Sequence, residues 1–187
     1  MRPLTDILET VGTEVQSVLQ SVDAEKLASL SRSLNAPGRI FLLGEGRSGL
    51  VGKMFAMRLM HGGYDVYVVG ETITPSIEAN DTLIVLSGSG KTASLLNATE
   101  KAKETGAYVL VFSTDPNSPI AQVSDETVHV PAATKYRRED EPDTIQPLGN
   151  QFDQSLHLLL DALVIYAQSE KGTEGNDAFF SRHSNLE

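Results

Sequence analysis

An alternation of short apolar runs with helix-length segments limits the fold of this chain more than any other feature. The runs are "IFLL" (Ile40–Leu43), "YDVYVVG" (Tyr64–Gly70), "TLIVL" (Thr82–Leu86), "YVLVF" (Tyr108–Phe112) and "TVHVP" (Thr127–Pro131). "LVGKMFAMRLMH" separates the first two and "TASLLNATEKAKETG" separates the third from the fourth. Strands that are apolar on both faces and alternate with helices argue for a parallel sheet covered on both sides. The expectation is α/β: a single doubly wound domain over residues 1–187, its five-stranded parallel sheet flanked by helices. Leu4, Leu8, Val11, Val15, Val18, Leu27, Leu30 and Leu34 follow helical spacing, which predicts a helical extension over about 1–35, broken near Val22–Asp23. A second extension, a helix over about 150–169, follows a polar, proline-containing stretch at 132–149, and a tail covers 172–187.

In such sheets ligands sit beyond the carboxyl ends of the strands, and two glycine-rich turns fall there. "SGSGKT" (Ser87–Thr92) resembles a nucleotide P-loop, but that pattern needs a glycine where this chain has Val85, still inside a strand. "GEGRSG" does satisfy Gly-x-Gly-x-x-Gly at Gly44, Gly46 and Gly49, and Glu71 lies where a ribose partner is expected, so a dinucleotide site is one reading. A sugar phosphate uses both turns. Ser87, Ser89 and Thr92 offer hydroxyls, Gly88 and Gly90 let backbone amides approach the anion, and the next helix points its positive end at it. Lys91 and Ser48 are further candidates, although Ser89 or Thr92 serving only as a helix cap is a plainer explanation for either alone.

The overall charge is −10, which argues against a basic nucleic-acid surface, while a local nest of amides binds small anions against such a field. With no cysteine there is no disulfide or thiol chemistry. The opening "MRPLTDILETVG" lacks a continuous apolar core, and "LHLLLDALVIYA" is too short to span a bilayer, so a cytoplasmic location and no membrane partner are expected.

Beyond these readings, "GRSGLVGKMFAMRLMHGGYDVYVVGE", "TPSI", "LSGSGKT", "TIQPLGNQFDQS" and the terminal "RHSNLE" closely resemble the 6-phospho-3-hexuloisomerase family of sugar isomerase (SIS) domain proteins. The resemblance implies an isomerase without cofactor or metal that interconverts D-arabino-hex-3-ulose 6-phosphate and fructose 6-phosphate, the second step of the ribulose monophosphate route of formaldehyde fixation or detoxification. It also implies a homo-oligomer, typically a tetramer, with active sites near subunit contacts. Ser48 and the segment Ser87 to Thr92 would bind substrate, and His61 and Asp153 would move protons. His183 would enter a neighbouring subunit's pocket with the tail. Other readings are an isomerase of an aldose phosphate and a non-catalytic sugar-phosphate sensor.

Each acid or base has a structural alternative. His61 ends a helix, where a cation is favoured anyway. Asp153 lies three residues after Asn150, a spacing that suits a capping box. The family carries Glu at the position of Asp153, and the shorter side chain withdraws the carboxylate by roughly 1.5 Å, one C–C bond. Glu45 stands where the family has a small apolar residue; it either supplies the missing reach or repels the phosphate. Asp153, His157 and Asp161 follow i, i+4, i+8 spacing but read as a solvated stripe rather than a metal face.

Overall fold

The computed structural model describes residues 2–173 and 175–186. Two helices, α1 (Leu4–Ser21) and α2 (Ala24–Asn35), precede the sheet. They break at Val22–Asp23 because the Asp23 side chain accepts the Lys26 amide hydrogen and restarts the helix. There follow β1 (Ile40–Gly44), α3 (Gly46–His61), β2 (Val66–Val68), β3 (Thr82–Leu86), α4 (Ala93–Glu104), β4 (Tyr108–Ser113), α5 (Pro119–Val123), β5 (Glu126–His129), α6 (Asn150–Glu170) and α7 (Asn176–Phe180). The five strands are parallel in the order β2-β1-β3-β4-β5.

Alternation along each strand builds two cores. Ile40, Leu42, Ile84, Leu86, Leu110 and Phe112 face α1, α2, α3 and α6, where Phe55, Leu59, Phe152 and Leu156 meet them. Phe41, Leu43, Leu83, Val85, Val109 and Val111 face the other way and pack on Leu95, Ala102 and Ile120 of α4 and α5. The helix that leaves β1 therefore covers one face, and the helix that leaves neighbouring β3 covers the opposite one. Between them the two loops splay apart at the carboxyl edge, which opens a crevice.

Both glycine turns are shaped by packing. A Cβ on Gly49 would lie 2.7 Å from the Gly44 carbonyl oxygen, so the close approach of α3 to β1 requires a glycine there. This accounts for the last glycine of Gly-x-Gly-x-x-Gly without any dinucleotide. Gly90 has φ +61°, and a Cβ on it would sit 2.0 Å from Ser118 Oγ. Gly90→Ala combines a left-handed alanine with a clash in a full site, and is expected to cost about 3 kcal/mol. A thermal melt should show a midpoint lower by roughly 6–12 °C, and an unchanged midpoint would mean that the turn relaxes freely.

Candidate active site

Three helix amino termini meet at the switch point. Those of α3, α4 and α6 follow Glu45, Thr92 and Gly149, and in none of them does a side chain cap the first turn. Of the other helices, α2 and α5 are capped by Asp23 and Ser118, while α1 and α7 also lack a side-chain cap but do not line this cavity. A cavity of about 420 Å³ lies among the three free ends. Uncapped first turns and the positive ends of three helix dipoles at one cavity make this a place for an anion.

The Ser87–Thr92 turn forms one wall. Ser87, Gly88, Ser89 and Thr92 line the cavity. The Gly88 carbonyl accepts hydrogen bonds from the Thr114 amide at 3.0 Å and the Thr114 hydroxyl at 2.8 Å. Because a carbonyl and the following N–H point in opposite directions across a planar peptide, this turns the Ser89 amide away from Thr114. Ser87 Oγ accepts from the Gly90 amide at 3.2 Å and so keeps its own proton to donate. Thr92 stands at the N-cap position of α4 but makes no cap bond, which leaves its hydroxyl uncommitted. Capping is therefore not what Thr92 does here.

Gly90 and Lys91 do not line the cavity. Gly90 is buried against Ser118, and the Lys91 ammonium lies 3.6 Å from Asp115, outside the turn.

The opposite wall carries the carboxylate. Asp153 is 7% exposed, accepts from Ser48 Oγ at 2.8 Å and pairs with Arg47 Nε at 3.1 Å. Its side chain crosses to α3 rather than capping α6, so it is no capping-box member. His157 and Asp161 lie 3.7 Å apart further along α6, while Asp153 turns inward, so the three do not form one cluster. Among the described residues no group of His, Cys, Asp or Glu is placed to hold a metal ion, and no helix is long and apolar enough to cross a membrane.

The loop between β5 and α6 closes the cavity with Thr134, Lys135, Tyr136, Leu148 and Gly149. Thr134 is held by Glu141, which accepts its amide at 2.9 Å and its hydroxyl at 2.6 Å. Glu141 also pairs with Arg138, which donates to the Thr114 hydroxyl at 3.1 Å and so ties this wall to the Ser87–Thr92 turn. Arg137 adopts φ +48° and donates to the Leu148 carbonyl at 2.9 Å, joining the two ends of the loop. Sequence reading passed over Lys135 and Tyr136. Their only signal is a polar run that starts at Thr134, after the apolar Val130–Ala133 segment that follows the last strand.

A larger hollow of about 750 Å³ lies between α1 and the 131–143 segment. Asp6, Glu9, Glu14, Asp140, Glu141 and Asp143 line it, so it repels anions and lacks the amide cradle.

Residues 33–141 match the SIS domain family. A 3-hexulose-6-phosphate isomerase of Mycobacterium gastri is 41% identical over 98% of this chain and 92% of its own length. The enzyme of that name from Bacillus subtilis is 34% identical over 98% of each chain. A Methanococcus jannaschii protein, whose crystal structure is described as inferring a molecular function of 3-hexulose-6-phosphate isomerase, superposes with a TM-score of 0.83 at 31% identity, over 96% of this chain and 98% of that one. The chain belongs to the 3-hexulose-6-phosphate isomerase family. Its SIS-type sheet and helices are those expected from the strand alternation and the resemblance.

His61, which the family resemblance marks for proton transfer, and His183 of the tail lie elsewhere in the chain. His61 is 13 positions beyond Ser48 on α3, about 20 Å along the helix. It is buried, and its ring stacks on His183 with centroids 5.4 Å apart. Arg182 donates to the His61 carbonyl at 3.3 Å and holds the tail against the end of α3. Burial, with smaller contributions from His183 and Arg58, pushes the His61 imidazole below its ordinary pKa. It is thus biased toward the neutral form, which both donates and accepts a proton. Within one chain the structure brings Ser48, Ser87, Ser89, Thr92 and Asp153 together, and places His61 with His183.

Proposed function

We propose that the protein interconverts D-arabino-hex-3-ulose 6-phosphate and fructose 6-phosphate through an enediol. The convergence of three uncapped helix amino termini on one cavity carries this reading, because a dianionic head group satisfies the free amides and dipoles that the fold leaves there. Ser87, Ser89 and Thr92 hold the phosphate, and that binding energy fixes the sugar chain toward Asp153. The Asp153 carboxylate removes the C3 proton of fructose 6-phosphate while the C2 oxygen gains a proton, giving the enediol. Return of a proton to C2 and loss of the proton on the C3 oxygen leave the ketone at C3.

The oxygens need a donor opposite the base. In this proposal His61 and His183 supply it from a second subunit of a homo-oligomer, a tetramer in the fullest form of the reading. Leu50, Met54 and Met57 form an exposed apolar stripe on α3, between Ser48 at one end and His61 at the other. Two α3 helices packed antiparallel across a two-fold axis bury both stripes and bring each His61 level with the amino-terminal end of its partner's α3. A cytoplasmic setting suits the proposed substrates.

Incubation with fructose 6-phosphate in deuterated water, followed by NMR, tests the reaction. Deuterium should enter C3 as the C3 ketone appears. Entry at C1 would instead assign an aldose product, and binding without exchange or product would assign a sensor.

A further inference from the structure

We propose that Glu45 is an affinity-setting residue, a fixed negative charge at the amino end of α4 that weakens the hold on a phosphate head group. The inference rests on the reading that the cavity takes a sugar phosphate. Glu45 occupies the N-cap position of α3 but does not cap it. Its carboxylate reaches across the switch point instead and accepts the hydroxyl proton of Ser94, the second residue of α4. It therefore lies over the uncapped first turn of α4, one of the three helix starts that attract an anion.

The two carboxylates of the cavity differ in compensation. Asp153 is met by Arg47 and Ser48 on its own wall. Glu45 has no cation within 4.0 Å among the described residues, and it is tied to the helix that follows the phosphate turn. This separates the two roles open for it from sequence. Glu45 does not lengthen the reach of Asp153, because its carboxylate is turned toward α4. An incoming dianion meets a like charge there and must displace it from Ser94 or bind beside it.

The consequence has a sign that loss of a merely structural group would not give. In Glu45→Gln, nearly the same shape without the charge, fructose 6-phosphate and inorganic phosphate should each bind about fivefold tighter by calorimetry, with KM falling by the same factor. Because Glu45 is exposed, the gap between wild type and variant should narrow as salt is raised to about 0.5 M. Unchanged or weaker binding by the variant overturns the proposal. If the wild type binds neither ligand, binding gained by Glu45→Gln upholds it, whereas no binding by either protein removes both this inference and the sugar-phosphate reading of the cavity.

Discussion

Asp153→Asn should slow isomerisation about 100-fold or more, the usual cost of removing a general base, with a much smaller change in KM. The side chain is buried, and both of its oxygens accept hydrogen bonds, one from Ser48 and one from Arg47. An amide of the same shape can accept at only one of these positions and has no basic lone pair to take the C3 proton. The Ser87–Thr92 turn, the proposed phosphate site, lies on the other wall, so sugar-phosphate affinity measured by calorimetry should persist while deuterium entry at C3 stops. A variant that turns over at near the wild-type rate would remove Asp153 from proton transfer. Asp153→Glu, which keeps a carboxylate on a side chain one carbon longer, should retain activity where Asn does not.

The second large effect tests where the proton donor comes from. His61→Ala is expected to be as inactive as Asp153→Asn, although within one chain its ring is about 20 Å from Ser48 along α3. If each site takes Asp153 from one subunit and His61 from another, mixing the two inactive variants under conditions that exchange subunits regenerates intact sites. Random exchange makes half the pairs mixed, and each mixed pair has one intact site of two, so activity should recover to about one quarter of wild type. No recovery in a mixture shown by mass to have exchanged would place the whole site within one chain. Removing residues 181–187 tests the same geometry, because the tail carries His183 onto His61. Loss of turnover is expected, and normal turnover would exclude the tail.

How much of this was legible beforehand varies by element. The break between α1 and α2 could be read because Asp23 acts locally on the Lys26 amide. The strands could be read because burial on both faces leaves uninterrupted apolar runs. The Ser87–Thr92 turn was legible as a wall of the cavity, but not which of its residues face inward. Gly90 and Lys91 share its motif with Ser87 and Ser89, yet contacts with Ser118 and Asp115, more than 20 positions away, turn them outward. Lys135 and Tyr136 carried no motif, because their place depends on Glu141, Arg138 and Arg137 folding the loop back onto the turn.

Local sequence by itself determined the order of strands and helices, the helix break and the residue types able to grip an anion, since these follow from periodicity, capping and backbone freedom within a few residues. Only the tertiary structure decided that three helix ends remain uncapped and point into one cavity, that Asp153 answers to Arg47 and Ser48 while Glu45 answers to Ser94, and that His61 sits with His183. Those pairings join residues up to 122 positions apart, from His61 to His183, and chain proximity places no constraint on contacts of that separation. The packing of helices against one another and across the sheet does.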